Sequence, residues 1–316
     1  MTRAMNSTDN AKTNIRKNNL TGSFMLLLTS LIWGFAFSFQ VEAAKYLQPI
    51  TINGIRMMLG FLTLLPIAVA TKNLVINKKS AVGGILCGIC LFVASILQQL
   101  GVGMYSKTEA AAGKSGFISA LYIVFVPFLS FALFKIKLKK SILISVALAL
   151  LGMYLLCVKK GVMLSSADIF ILLSAMCYAA HILVVDRFVK VANPLTLSCF
   201  QLFVCGLLGI TAMFIFETPT IANIKSALFP LVFIGIFSSG IAYTLQLTGQ
   251  KRITEPAAAS LLMSLESVFA AISGFLLLGE RLTLKEFIGC ILVFVAVILA
   301  QMDIKSLFRK KSQLIK

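Results

Sequence analysis

Polar and apolar positions in this chain alternate in long blocks rather than residue by residue. Ten apolar runs can be marked, at about 20–41, 49–71, 81–103, 108–133, 141–158, 166–186, 194–216, 226–249, 256–278 and 284–302. A helix needs roughly 20 apolar residues to cross a hydrocarbon core of about 30 Å, and most of the runs are of that length. In lipid the backbone finds partners only within its own helix or in a closed barrel, so the pattern predicts an all-α integral membrane protein with ten transmembrane helices. The first run is too long for the apolar region of a signal peptide, and no small-residue cleavage site follows it. It reads as the first membrane helix, behind a basic arm at 1–19. The connections are mostly under about ten residues, which leaves no room for a soluble catalytic domain. No enzyme is expected.

Composition agrees, with 59% hydrophobic residues, 13% charged and a mean hydropathy of +0.96, beyond what a soluble domain of this size tolerates. The formal net charge of +18 would suggest a nucleic-acid partner if it were clustered on one face, but it lies between the apolar runs and is a topology signal instead. Counted over alternate connections, 20 Lys and Arg fall on one side and seven on the other. Cationic loops stay in the cytoplasm, so the arm at 1–19 and the tail at 303–316 are both expected there, with the protein in the cytoplasmic membrane. The bilayer is the expected partner and nucleic acid is not. Lipid-facing and partner-facing apolar surfaces look alike in sequence, so no oligomeric state is predicted.

The chain also repeats itself. Displaced by 145 residues, LTSLIWGFAF (28–37) falls on LSAMCYAAHI (173–182), with Trp33 over Tyr178, and Pro49 and Thr51 fall on Pro194 and Thr196. At a displacement of 146, TEAAAG (108–113) falls on TEPAAAS (254–260). Two five-helix units, 20–158 and 166–302, are expected. Five is odd, so the second unit enters the membrane from the opposite side, the inverted repeat that many secondary transporters use around a midplane site.

Charges inside the runs mark the candidate chemistry. Glu266 stands mid-run, where a carboxylate costs at least ~2.5 kcal/mol to insert. It reads either as a proton- or cation-binding group or as a protonated carboxyl packed against Ser264, Ser267 or Ser273. Arg56 and Lys114 lie about 10 Å below the external face at 1.5 Å per residue, where long side chains can snorkel outward or line an anion-attracting vestibule, Arg by a bidentate grip and Lys as a point charge. His181, the one histidine, is either a packed neutral ring or a proton relay or substrate contact. Gln99 and Gln246 occupy near-equivalent places in the two units, which favours a polar cavity lining over helix–helix glue. Trp33 and Tyr178 complete the candidate set. No metal site can be built on a single His with no carboxylate three or four residues away, and no cofactor is expected. The seven cysteines lie within or at the edge of apolar runs and read as small buried hydrophobes.

Three stretches carry a family resemblance. The closing hairpin from Thr254 to Gln301, with its Ser-Leu-Glu segment at 264–266 and its Gly-Glu-Arg turn at 279–281, resembles that of EamA-type carriers of the drug/metabolite transporter superfamily. SLIWGFAFSF at 30–39 looks like the first helix of that family, and GKSGFISALYIVFVPFL at 113–129 like its fourth. One departure is Ser267, which stands where many relatives carry proline. The resemblance implies a secondary transporter that exports a small metabolite, amino acid or drug-like compound by alternating access, with Glu266 in a structural or proton-coupling role. The alternative within transport is an organic-anion or phosphate-ester exchanger using Arg56 and Lys114. From another class, Gly113-Lys114-Ser115-Gly116 matches the GxSG of intramembrane serine proteases, with His181 available as base, but a ten-helix repeat argues against it.

Overall fold

The computed structural model describes residues 2–105, 111–136, 139–157, 165–253, 255–281 and 283–301, and among these it is helical with no strand. Eight stretches are long and apolar enough to cross a membrane by length and composition. They are Asn18–Ala43, the apolar part of α1 (Thr2–Ala43); α2 (Pro49–Ala70); α3 (Lys78–Met104); α4 (Ala111–Ser119) continued by α5 (Tyr122–Phe134); α7 (Ser166–Val189); α8 (Pro194–Phe216); Leu228–Arg252; and α12 (Pro256–Met263) continued by α13 (Glu266–Leu278). The remaining two runs form α6 (Lys140–Cys157) and α14 (Leu284–Gln301), whose apolar parts, Lys140–Gly152 and Phe287–Leu299, are shorter. Each is an 18-residue helix, about 27 Å long at 1.5 Å per residue, and the two pack on each other. The helical backbone of α1 begins at Thr2, ahead of its apolar span.

Local signals set the helix starts. Pro49 and Pro194 occupy first-turn positions in α2 and α8, where the missing N–H has no intrahelical partner to lose. Asn77 with Ser80 and Ser165 with Asp168 form reciprocal capping boxes that open α3 and α7. The helix α13 ends at Gly279, whose φ of +70° is the left-handed geometry that favours glycine.

Three spans are interrupted. One breaks at Ala120–Leu121 and another at Ser264–Leu265, positions 144 residues apart, and both breaks are tightened by i→i−3 bonds such as Val124 N to Leu121 O and Val268 N to Leu265 O, each 3.0 Å. The third, Leu228–Arg252, is built from α10 (Leu228–Phe233), a π-helical turn over Ile234–Ala242, and α11 (Tyr243–Arg252), preceded by the short α9 (Ile221–Ser226). Within the widened turn, the Ser238 carbonyl accepts from the Trp33 indole at 3.1 Å and the Ala242 carbonyl accepts from Thr29 Oγ1 at 3.3 Å.

Contacts at the helix ends fix the relative directions. At one end of the bundle Glu217, capping the C-terminus of α8, accepts from Ile50 N at 2.9 Å and from Thr51 N and Oγ1 at 2.7 Å. At the other end Thr196 Oγ1, in the first turn of α8, accepts from Val75 N at 3.0 Å and donates to Asn73 O at 2.8 Å, just past the end of α2. The second helices of the two units, α2 and α8, therefore run antiparallel. They cross where Gly54 meets Gly209, and a Cβ on either would press into the other's backbone. Small residues at such crossings let backbones approach without lipid-filled gaps.

Candidate functional site

Between the two units lies a cavity lined by ten side chains. Its walls are Trp33, Phe37 and Gln40 of α1, Arg56 of α2, Gln98 of α3, Tyr122 of α5, Tyr178 of α7, Ser238 of the π turn, Tyr243 of α11 and Glu266 of α13. Five aromatic rings supply the apolar surface. Trp33 and Tyr243 meet edge to face with centroids 5.0 Å apart, and the Trp33 indole is anchored on the π turn, so two walls are held by one contact.

The lining respects the repeat. Trp33 and Tyr178 stand 145 positions apart, as do Gln98 and Tyr243, while Tyr122 and Glu266 stand 144 apart. Each unit therefore contributes three corresponding positions. Tyr122 and Glu266 are the first residues of α5 and α13, each directly after the break of its span. The N–H groups around each break are bonded within the tightened turn, Ile123 N to Ala120 O and Ser267 N to Ser264 O at 3.1 Å, and each turn sets the side chain that follows it in the cavity wall.

Charge breaks the symmetry. Arg56 is 2% exposed and Glu266 4%. The guanidinium holds Asn53 Oδ1 through Nε and Nη2 at 3.3 and 3.2 Å. Among the described residues neither Arg56 nor Glu266 has an oppositely charged partner in ion-pair contact. A neutral network lies beside them: Tyr178 donates to Gln98 Oε1 at 3.2 Å, and Gln98 Nε2 donates to Ser119 Oγ at 2.9 Å. Gln40 Oε1, in a side chain 3% exposed, has no hydrogen-bond partner among the described residues.

Of the residues singled out in the sequence, the cavity brings together Glu266, Arg56, Trp33 and Tyr178. Lys114 lies elsewhere: its ammonium is 2.9 Å from Asp168 and sits over the Tyr105 ring at 5.0 Å, while the Tyr105 hydroxyl donates to Asp168 at 2.6 Å. His181 is fully buried behind the cavity, with Nε2 3.0 Å from Gln201 Oε1 and its ring edge-on to Tyr243 at 6.2 Å. Gln99 and Gln246 are buried and line no part of it. The lining residues outside the candidate set are Phe37, Gln40, Gln98, Tyr122, Ser238 and Tyr243. For Tyr122 a signal existed, since a displacement of 144 places it on Glu266. Gln98 is one position, about 100° of helix, from the glutamine that had been singled out.

An all-helical bundle of membrane-crossing length, with paired units enclosing a polar and aromatic cavity, is the architecture of a membrane transporter. The chain belongs to the EamA-like transporter family, whose family model matches it twice, over residues 20–158 and 165–302. An uncharacterized transporter of Archaeoglobus fulgidus is 27% identical over 279 residues, covering 88% of this chain and 85% of that protein. The uncharacterized transporter YyaM of Bacillus subtilis is 24% identical over 287 residues, covering 87% of this chain and 92% of that protein. A solved crystal structure 17% identical in sequence superposes with a TM-score of 0.69 over 88% of this chain and 96% of its own, a likeness of fold.

Proposed function

We propose that this chain is a secondary carrier that exports a small zwitterionic metabolite, of the amino-acid class, across the cytoplasmic membrane by alternating access. In this reading all ten helices span, α6 and α14 included, and both termini are cytoplasmic. The observation that carries the substrate class is the pairing of Arg56 and Glu266 in one aromatic-walled cavity without contact between them. Arg56 offers a planar donor fork suited to a carboxylate. Glu266 accepts an ammonium group or, in its absence, a proton, which provides a route to proton coupling. The rings take an apolar side chain and, through their faces, share the cation.

The organic-anion exchanger draws less support from this arrangement. It relied on Arg56 and Lys114 as a pair, and Lys114 is engaged by Asp168, which leaves Arg56 opposite a carboxylate that repels an anion.

The test is thermal unfolding of the purified full chain with free amino acids, their methyl esters and the corresponding primary amines. A ligand at 100 times its Kd stabilises by about 2.7 kcal/mol. Free amino acids with apolar side chains are expected to raise Tm, and esters and amines to do so less. Stabilisation by phosphate esters but by no amino acid would overturn the proposal in favour of the exchanger.

A further inference from the structure

Behind the cavity, five buried side chains carry polar atoms that no described residue satisfies: His181 Nδ1 on α7, Ser198 Oγ and Gln201 Nε2 on α8, and Gln246 Oε1 and Gln250 Oε1 on α11. None is more than 1% exposed. Their remaining contacts tie the three helices into one seam. His181 meets Gln201 at 3.0 Å, and Gln250 Nε2 donates to the carbonyl of Ile182, the residue after His181, at 3.1 Å.

The seam starts at the cavity and leads away from it. Tyr243, Gln246 and Gln250 recur at i, i+3 and i+7, so they share one face of α11, and the first of them is cavity wall. That face ends beside Lys251 and Arg252, the basic last turn of α11. On α7, His181 lies one turn beyond Tyr178, which is also cavity wall. Groups that only hold helices together in lipid do so by making hydrogen bonds, whereas here each group carries a polar atom without a partner among the described residues. A polar atom buried dry and unpaired is destabilising, and water bound in a protein interior takes several polar partners. At the opposite end of the bundle the two carboxylates are bonded, Asp168 by Tyr105, Lys114 and Ser165 N, and Glu217 by Ile50 and Thr51.

We propose that the seam between α7, α8 and α11 is an aqueous leg of the transport route, which takes up water and joins the cavity to the membrane face marked by Lys251 and Arg252. The need for a second leg rests on the carrier reading above. The lining is uncharged amide, hydroxyl and imidazole, which can solvate a neutral or zwitterionic solute without trapping it.

The experiment uses Gln246→Cys and Gln250→Cys in the otherwise unaltered full chain, in membrane vesicles treated with the charged reagent 2-(trimethylammonium)ethyl methanethiosulfonate. Modification at the introduced position is read by peptide mass spectrometry. Leu247→Cys is the dry control, because Leu247 is 0% exposed and packs among Cys87, Val185 and Val189. Both glutamine positions are expected to react at least tenfold faster than Leu247→Cys, and Gln250→Cys faster than Gln246→Cys. Rates no higher than the control overturn the proposal. Ser198→Cys exchanges one small polar side chain for another and gives the same readout from the α8 wall should the glutamine variants not fold. The readout needs no substrate: labelling of the seam in a protein that binds no amino acid overturns the substrate reading alone, and amino-acid binding without labelling overturns the seam alone.

Discussion

A guanidinium and a carboxylate buried in one cavity without contact are each held at a desolvation cost that a bound third group can offset. If that group is a zwitterion, the two ends separate experimentally. Arg56→Gln removes the fork and leaves a neutral donor, and should raise the Kd for an amino acid ten- to a hundredfold, in line with ~1.5–3 kcal/mol for a hydrogen bond to a charged group. The Kd of the corresponding amine should change far less. Glu266→Gln keeps shape and hydrogen bonding but removes the titratable proton, so the variant should fold, bind the amino acid more weakly and transport it into proteoliposomes with a flattened pH dependence. A parent-like pH profile in that variant would make Glu266 a packing residue. These two charges were legible in the sequence because a charge inside an apolar run needs a reason. Tyr243 was not, since a tyrosine in such a run is as well explained by packing, and neither was the choice of Gln98 over Gln99, which depends on a rotation of about 100° that a run without polar periodicity does not specify. The role of Lys114 depended on Asp168, 54 positions away in sequence, which only the meeting of α4 with α7 reveals.

The interrupted helices are what turn a stack of spans into a site. Neither Ala120–Leu121 nor Ser264–Leu265 contains proline or glycine, so no breaker signal marks them, and the second break forms although Ser267 stands where relatives carry proline. What reveals the pair is their common spacing, and each presents the residue that follows it, Tyr122 or Glu266, to the cavity. The π turn is equally silent in sequence. The close approach of α2 and α8 at Gly54 and Gly209 leaves no space for a side chain. Gly54→Ala should therefore force the crossing apart and destabilise by about 1–3 kcal/mol, the usual range for overpacking. Gly240→Ala, whose new Cβ would meet neighbours at an ordinary 3.5 Å or more, should unfold within about 1 kcal/mol of the parent, the helix preference of alanine over glycine setting the scale. Thermal unfolding of both variants in detergent decides it: equal losses would show that the crossing tolerates a methyl group and that its closeness does not limit stability.

For the whole molecule, block hydropathy supplied the helices and the displacement of 144–146 supplied the pairing of units, because both are long-range regularities that survive local irregularity. The shorter apolar parts of α6 and α14 escaped that reading, which counts apolar residues without seeing where a helix starts. Orientation rests on a separate physical asymmetry, the excess of Lys and Arg in alternate connections, 20 against seven. The antiparallel course of α2 and α8 means that corresponding connections of the two units must lie on opposite faces, so a topology measured for one connection constrains its counterpart. A reporter fused after Lys316 should accordingly be cytoplasmic. A cysteine replacing Arg281, in the exposed turn between α13 and α14, should react with an impermeant maleimide in intact cells. One replacing Lys251, exposed in the last turn of α11, should react only after permeabilisation. Should both react from outside, the two ends of the α12–α13 span would share one face of the membrane. The inverted arrangement could not then hold, and the seam that leads from the cavity toward Lys251 would open to the wrong side for a substrate drawn from the cytoplasm.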